Sequence, residues 1–285
     1  MKRNCFARFA AAALSLAMLA GCGASQSSDS AAVDTGSADS AELTVFAADS
    51  MTETLNRIAE DYKSVDPNVT LTFKFASGDL LTQIKEGADC DVFISAAPKQ
   101  MNALDGSLKD DTDKNPDGLD ELQDGTRIDL LENKVTLAVP EGNPKGVQSF
   151  DDLADKLKSG DVLLAIGNSD VPVGQYTQKI FSCYKLDEKA LADAGVLTYG
   201  SNVKEVTTQI TEGSVDCGVV YCTDAYSAGI TPVDYATEEM CGQVIYPAAV
   251  LNVSQHSEEA QAFLDYLQTD AAMQVFEEVG FFPVI

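Results

Sequence analysis

Four segments of this 285-residue chain place small or hydroxyl-bearing residues where a helix is predicted to begin. They contain Ser50, Ser77 with Gly78, residues 171–174 and residues 201–203. The first turn of a helix has backbone N–H groups without intrahelical partners and carries about half a positive charge. Such helix starts bind anions. We therefore predict that the four segments together bind a small dianion without a basic side chain.

Local sequence signals support each of these helix starts. Ser50 opens the sequence Ser-Met-Thr-Glu, a capping box, which predicts Ser50 as the N-cap residue. Gly78 would let the backbone approach a ligand closely. Ser201 and Asn202 are predicted to cap a helix that begins at Val203.

The elements that must position these segments alternate between strand and helix patterns. Strands are predicted at 43–48, 69–75, 91–95, 134–139, 162–166, 196–199 and 218–221. Helices are predicted near 51–62, 80–84, 150–158, 174–185 and 203–212, with two amphipathic helices between about 257 and 279. This alternation predicts an α/β fold with mostly parallel sheets, in which ligands bind beyond the carboxyl ends of the strands.

The N-terminal region has the pattern of a bacterial export signal. Basic residues precede an apolar stretch at 9–20, which is too short to cross a hydrocarbon core of about 30 Å comfortably. Cys22 follows Leu-Ala-Gly and resembles a lipobox cysteine, which is left as the lipidated first residue when the signal is cleaved. An ordinary signal peptide with a chance cysteine is the alternative. We predict a signal peptide at 1–22, a flexible tether at 23–41 and a protein anchored by lipid outside the cell membrane.

Composition excludes several classes of partner. The formal net charge of −26 argues against nucleic acid and against electrostatic attachment to anionic lipid. No Cys-x-x-Cys pair occurs, and His256 is the single histidine, so a zinc or redox site is not predicted.

Beyond Cys5 and Cys22, the cysteines allow at most two disulfides, whose pairing stays open. These cysteines are Cys90, Cys183, Cys217, Cys222 and Cys241.

An acidic segment at 105–127 interrupts the alternation of strands and helices. Within it, the spacing of Asp113, Asn115, Asp117 and Asp124 matches an EF-hand calcium loop. The last position lacks the usual glutamate, and no flanking helix pair is predicted. A solvated surface loop is therefore the competing interpretation.

Five segments in order resemble the substrate-binding proteins of molybdate ABC transporters, over nearly all of 42–285. They are residues 44–50, 75–78, 91–96, 171–176 and 220–225. The resemblance implies the two-lobed, type II periplasmic-binding-protein fold, with each lobe a mostly parallel sheet flanked by helices and the ligand in the cleft between them. It places lobe I at 42–129 and 246–285, and lobe II at 130–245.

In that family the oxyanion is held by two serine hydroxyls, a tyrosine hydroxyl and main-chain amides. The resemblance assigns the hydroxyls to Ser50, Ser77 and Tyr221, and the amides to Ser50, Ser77, Val173 and Val203. Asp49 departs from the family pattern because a carboxylate precedes Ser50, and we expect it to point away from the anion.

The resemblance implies a monomeric lipoprotein that captures molybdate and delivers it to an ABC permease and its ATPase, with no cofactor and no enzymatic activity. A tungstate or other oxyanion receptor is the nearest alternative. An extracytoplasmic hydrolase with Ser50 as nucleophile has little support, because no Gly-x-Ser-x-Gly elbow occurs and His256 is the only histidine. An adhesion or signalling lipoprotein without a small ligand is a third hypothesis.

Overall fold

The structure is a computed structural model that describes residues 40–76 and 79–284. The predicted signal peptide, Cys22 and nearly all of the tether lie outside these ranges, as do Ser77 and Gly78. Among the described helices, none combines the length and the apolar character that crossing a bilayer requires.

The strands of the described chain form two sheets. They are β1 (Ala41–Ala48), β2 (Val69–Ala76), β3 (Val92–Ile94), β4 (Ile128–Asn133), β5 (Val135–Ala138), β6 (Leu164–Gly167), β7 (Leu197–Gly200), β8 (Cys217–Tyr221), β9 (Pro232–Tyr235), β10 (Val244–Val250) and β11 (Phe281–Pro283).

Helices separate most of these strands. They are α1 (Thr52–Tyr62), α2 (Leu80–Lys85), α3 (Pro98–Asn102), α4 (Phe150–Ser159), α5 (Pro172–Cys183), α6 (Glu188–Asp193), α7 (Val203–Thr211), α8 (Cys222–Ser227), α9 (Glu238–Cys241), α10 (Ser257–Leu267) and α11 (Asp270–Glu277). Short 3-10 helices occur at Asp49–Met51 and Gly106–Leu108.

The first sheet has the order β11-β4-β10-β3-β1-β2 and the second has the order β7-β6-β8-β5-β9. The predicted α/β class is therefore confirmed. The sheets are mixed rather than mostly parallel as predicted. β1 is parallel to β2 and β3, and β6 is parallel to β7 and β8. The other described pairings are antiparallel. The antiparallel strands are mostly those that carry the chain from one sheet to the other and back.

The parallel strands bring the predicted helix starts to two sheet edges. In the first sheet, Ala48 is in register with Ala76, so β1 and β2 end side by side. In the second, Gly167 is in register with Gly200, and β8 runs parallel to β6. The carboxyl ends of β6, β7 and β8 therefore lie at one edge, from which α5, α7 and α8 begin.

Apolar helix faces cover the sheets. The two predicted C-terminal helices are confirmed as α10 and α11, which bury Phe263 and Phe276 completely. Tyr62 at the end of α1 packs edge-on against Phe263, with ring centroids 5.2 Å apart. This packing fixes α1, and with it the start of the helix that follows Ser50.

Glycine at position 174 allows α5 to approach the end of β6. A Cβ atom on Gly174 would lie 2.1 Å from the Asn168 carbonyl oxygen and 2.4 Å from that of Gly167, both on backbone that cannot yield easily. The first turn of α5 is therefore pressed against the carboxyl end of its own strand.

We expect Gly174→Ala to lower the free energy of unfolding by about 1–3 kcal/mol, the range for an overpacked site. Thermal or urea unfolding measures the change. The control is Gln175→Ala, on the next, exposed residue, which should change stability by less than about 0.5 kcal/mol. Equal stability of the two variants would contradict the close contact.

Candidate functional site

Ser50 lies at the carboxyl end of β1, but it is not an N-cap residue. It is exposed within the 3-10 helix Asp49–Met51, and α1 begins only at Thr52, preceded by Met51 without a side-chain cap. The prediction of a Ser50 capping box is thus wrong, because a 3-10 turn separates the strand from the α-helix. Asp49 is also exposed, and its carbonyl oxygen accepts a 2.7 Å hydrogen bond from the Thr52 hydroxyl.

The Ser50 hydroxyl has a partner that the sequence did not reveal. Ser50 Oγ lies 3.1 Å from the hydroxyl oxygen of Tyr246 on β10. Tyr246 is only 5% exposed, and its ring packs edge-on against Phe281 at 5.2 Å. Burial raises the pKa of Tyr246, so the phenol keeps its hydrogen at neutral pH.

Asn133 continues this polar cluster toward the second sheet. Its side chain is buried, and its Nδ2 donates to Thr223 Oγ1 of α8 at 2.9 Å. Asn133 also lowers the pKa of Tyr246, which partly opposes the effect of burial. Within the described residues Asn133 Oδ1 itself accepts no hydrogen bond. Two polar pairs, Ser50 with Tyr246 and Asn133 with Thr223, thus involve the neighbouring strands β10 and β4.

The helix start at Val173 offers an unpaired amide. Val171 is the N-cap residue, Pro172 has no N–H, and the amides of Gly174 and Gln175 donate to the Val171 carbonyl. Among the described residues, the Val173 amide has no acceptor. Its side chain is fully buried, so the backbone at this point is held firmly.

The helix start at Val203 is capped as predicted. Asn202 Oδ1 accepts from the Glu205 amide at 3.0 Å, and Glu205 Oε2 accepts from the Ser201 amide at 2.7 Å. These bonds use the amides on either side and leave that of Val203 without an acceptor in the described part of the chain. The second sheet therefore presents two free amides, at Val173 and Val203, on one edge.

Tyr221 ends β8 at the same edge and is the N-cap residue of α8. It is half-buried and packs edge-on against Tyr176 of α5, with ring centroids 6.2 Å apart. Burial raises the pKa of both phenols, so each remains a neutral hydrogen-bond donor. Tyr176, like Tyr246, is a polar group that sequence reasoning did not assign to the site.

A partly buried carboxyl group, that of Asp224, lies near these tyrosines. Burial raises the pKa of Asp224 to about 6, although a hydrogen bond from the Tyr221 amide opposes the shift. Asp224 is therefore ionised at pH 7 but titrates in the mildly acidic range. A dianion near Tyr221 would repel its ionised form.

The position of Ser77 is not described, but its neighbours are. Ala76 ends β2 beside Ala48, and α2 begins at Leu80. A cavity of about 40 Å³ lies under these strand ends, lined by Ala48, Ala76, Ser95 and Gln100, among others. Gln100 Oε1 is buried there and has no hydrogen-bond partner among the described residues.

The side chains of the acidic segment at 105–127 are not arranged to bind calcium. The Asn115 amide binds the carbonyls of Asp105 and Leu119, and Asp117 pairs with Lys85 at 2.5 Å. Within the described ranges, no group of three or more histidine, cysteine, aspartate or glutamate side chains is placed to hold a metal ion. Of the side chains that matched the motif, Asn115 folds the loop onto itself and Asp117 joins it to the end of α2.

The described cysteines are all unpaired. Cys183 is exposed, and the other four are buried. Burial raises the pKa of Cys90, Cys217 and Cys222 to about 12, so these thiols are unreactive apolar side chains.

His256 lies away from Ser50. Its amide donates to Ser254, whose hydroxyl donates to Asp91, and Asp91 Oδ2 accepts from the Thr44 amide. Asp91 immediately precedes β3, so His256 is near the amino-terminal edge of the parallel strands, whereas Ser50 follows their carboxyl edge. The two residues therefore do not form a nucleophile–base pair.

Comparisons with known proteins show the family to which the chain belongs. Residues 43–282 match the family described as bacterial extracellular solute-binding protein. The chain is 33% identical over 280 residues to the "Putative ABC transporter substrate-binding lipoprotein YvgL" of Bacillus subtilis, covering 96% of each protein. It is 32% identical over 251 residues to the "Molybdate-binding protein ModA" of Haemophilus influenzae, covering 86% of this chain and 91% of that protein.

A solved structure supports the same relationship. The "substrate binding domain of putative molybdenum ABC transporter from Clostridium difficile" superposes with a TM-score of 0.74 at 31% identity, covering 86% of this chain and 99% of that one. The two mixed α/β sheets are thus those of the two-lobed periplasmic binding proteins. The chain belongs to the bacterial extracellular solute-binding protein family.

Proposed function

We propose that this protein captures molybdate between its two lobes and delivers it to an ABC transporter. The observation that carries the proposal is the set of neutral donors at the two sheet edges: the hydroxyls of Ser50 and Tyr221 and the unpaired amides of Val173 and Val203. Ser77, next to the end of β2, is proposed as a further donor. The names of the Haemophilus influenzae and Clostridium difficile relatives point to the same element.

Each proposed lobe is built on one sheet. The chain leaves the first sheet after β4 and returns to it at β10, so lobe boundaries that follow the sheets fall near residue 134 and between 235 and 244. These limits are close to the predicted 129/130 and 245/246. Ser50 and Ser77 then belong to lobe I, whereas Val173, Val203 and Tyr221 belong to lobe II.

Neutral donors suit a tetrahedral dianion. Burying such an ion is costly unless its oxygens are hydrogen-bonded, and each bond to a charged acceptor contributes about 1.5–3 kcal/mol. The five donors named above would therefore offset much of the lost hydration. The amides cannot accept a hydrogen bond, and the hydroxyls would direct their hydrogens at the ligand. The site therefore disfavours hydrogen phosphate, whose O–H needs an acceptor. A cage fitted to molybdate holds the smaller sulfate less well, and tungstate remains a possible ligand by size and charge.

Because the donors come from both sheets, binding would draw the two lobes together. The lobes would move about the crossing segments, which are the stretches near residue 134 and at 236–243 that join the two sheets. The closed surface is proposed to dock on a permease coupled to an ATPase, while lipid on Cys22 keeps the monomeric receptor at the membrane.

We propose that the protein has no enzymatic activity, since His256 does not face Ser50. One more distant relative, 26% identical over 56% of this chain, is named aconitate isomerase, so activity on organic acids is a useful negative control.

We expect molybdate, and tungstate to a similar degree, to raise the melting temperature of the full chain in detergent. Ligand at 100 times its Kd stabilises a protein by about 2.7 kcal/mol. Sulfate, phosphate and aconitate should give much smaller shifts. A panel with no shift for any oxyanion would contradict the proposed function.

We expect Ser50→Ala and Ser77→Ala each to weaken molybdate binding by about tenfold or more, because each removes a donor to a charged oxygen, worth about 1.5–3 kcal/mol. Calorimetric titration measures the affinities. Ser182→Ala, an exposed serine on α5, is the control and should bind like the unmodified chain. Unchanged affinity in both test variants would rule out this site.

Asp224 gives a pH-dependent prediction. Its folded-state pKa of about 6 lies above the ordinary value of 3.8, so the folded protein binds more protons in that window and this group loses stabilisation as pH rises from about 4 to 6. We expect Asp224→Asn to remove this part of the pH dependence of the melting temperature and to stabilise the protein at pH 7. The control is Asp193→Asn, on an exposed carboxyl. Parallel pH curves for the unmodified chain and Asp224→Asn would contradict the shift.

A further inference from the structure

Tyr246 is the hydrogen-bond partner of the Ser50 hydroxyl on the side that faces the protein interior. Its hydroxyl oxygen lies 3.1 Å from Ser50 Oγ, and either oxygen could donate in this contact. The tyrosine belongs to β10, which pairs with both β3 and β4, and its ring is held by Phe281. Ser50 is exposed on a short 3-10 turn, so its side chain can rotate, whereas the phenol is held by the sheet.

The direction of the hydrogen bond decides what Ser50 can offer to an anion. A serine hydroxyl has one hydrogen and two lone pairs. If Ser50 donates to Tyr246, its only hydrogen is lost to the ligand. If Tyr246 donates to Ser50, the serine hydrogen remains for the anion, and the donated bond polarises it further.

A bound anion decides the direction of this hydrogen bond. The anion can only accept, so the Ser50 hydroxyl must point its single hydrogen at it. Tyr246 can then only donate to Ser50 Oγ, which still has lone pairs free. Because Tyr246 is buried in the sheet, this donor stays in place while the exposed Ser50 hydroxyl rotates.

We propose that Tyr246 is a positioning residue of the oxyanion site, which donates to Ser50 Oγ and thereby directs the Ser50 hydrogen toward the bound anion. This proposal rests on the proposed function. No residue of β10 was predicted to bind the anion. In this proposal β10 supplies the tyrosine that orients Ser50, which follows β1.

Calorimetric titration of molybdate into the full chain in detergent tests the proposal with Ser50→Ala, Tyr246→Phe and the double variant. We expect Tyr246→Phe to weaken binding about five- to tenfold, Ser50→Ala to weaken it at least as much, and the double variant to bind like Ser50→Ala. The matched control is Tyr62→Phe, which removes the hydroxyl of another tyrosine, 2% exposed, on α1; its affinity should stay within twofold.

The outcomes separate this proposal from the proposed function. Affinity within twofold for Tyr246→Phe, or a double variant whose loss is the product of the two single losses, overturns the positioning role. An equal loss in Tyr62→Phe also overturns it, because the effect would then be general. If the unmodified chain binds no oxyanion, the proposed function fails first, and this proposal fails with it.

A second measurement does not depend on the folding of Tyr246→Phe. In the full chain labelled with ¹³C at the tyrosine Cζ atoms, Ser50→Ala should shift the resonance of the phenol that contacts Ser50. We expect the same resonance to move when molybdate is added to the unmodified chain. A resonance that responds to Ser50→Ala but not to the anion overturns the proposal.

Discussion

The site depends on parallel strand pairs whose carboxyl ends share one edge of a sheet. Register between β6 and β7 places Gly167 beside Gly200, and each of these strands leads directly into a helix. The helices that carry the free amides of Val173 and Val203 therefore begin at the same edge of the sheet. Gly174 completes the arrangement, since any larger residue would push α5 away from the strand that positions it.

A second constraint is electrostatic. The chain carries a formal charge of −26, and a carboxyl group, Asp224, lies next to Tyr221. A receptor for a dianion must overcome this field with short-range donors rather than with net positive charge. Amides and phenols can do so because hydrogen bonds act at contact distance, whereas the field of exposed charges is screened within about 10 Å. Burial keeps the phenols protonated, and thus keeps them donors.

Two polar pairs, Ser50 with Tyr246 and Asn133 with Thr223, lie near the segments that join the two sheets. Tyr246 and Asn133 lie on β10 and β4, two strands that pair with each other and flank the segments by which the chain crosses between sheets. Any movement of the sheets relative to each other would alter the contacts of these buried side chains. The residue proposed to position Ser50 thus lies close to the segments by which the chain crosses between the sheets.

The sequence by itself determined the α/β class, the helix start at Asn202 and the order of the segments that surround the site, because apolar periodicity and capping are local. It did not predict β4 or β10. β10 contains Pro247, and proline is unfavourable inside a central strand; here it is accommodated at a register shift beside Tyr246. The capping box at Ser50 was wrong for a related reason: whether a hydroxyl caps its own helix or meets a distant phenol depends on what packs behind it. Only the tertiary structure, by placing β10 there, decided that Ser50 faces Tyr246.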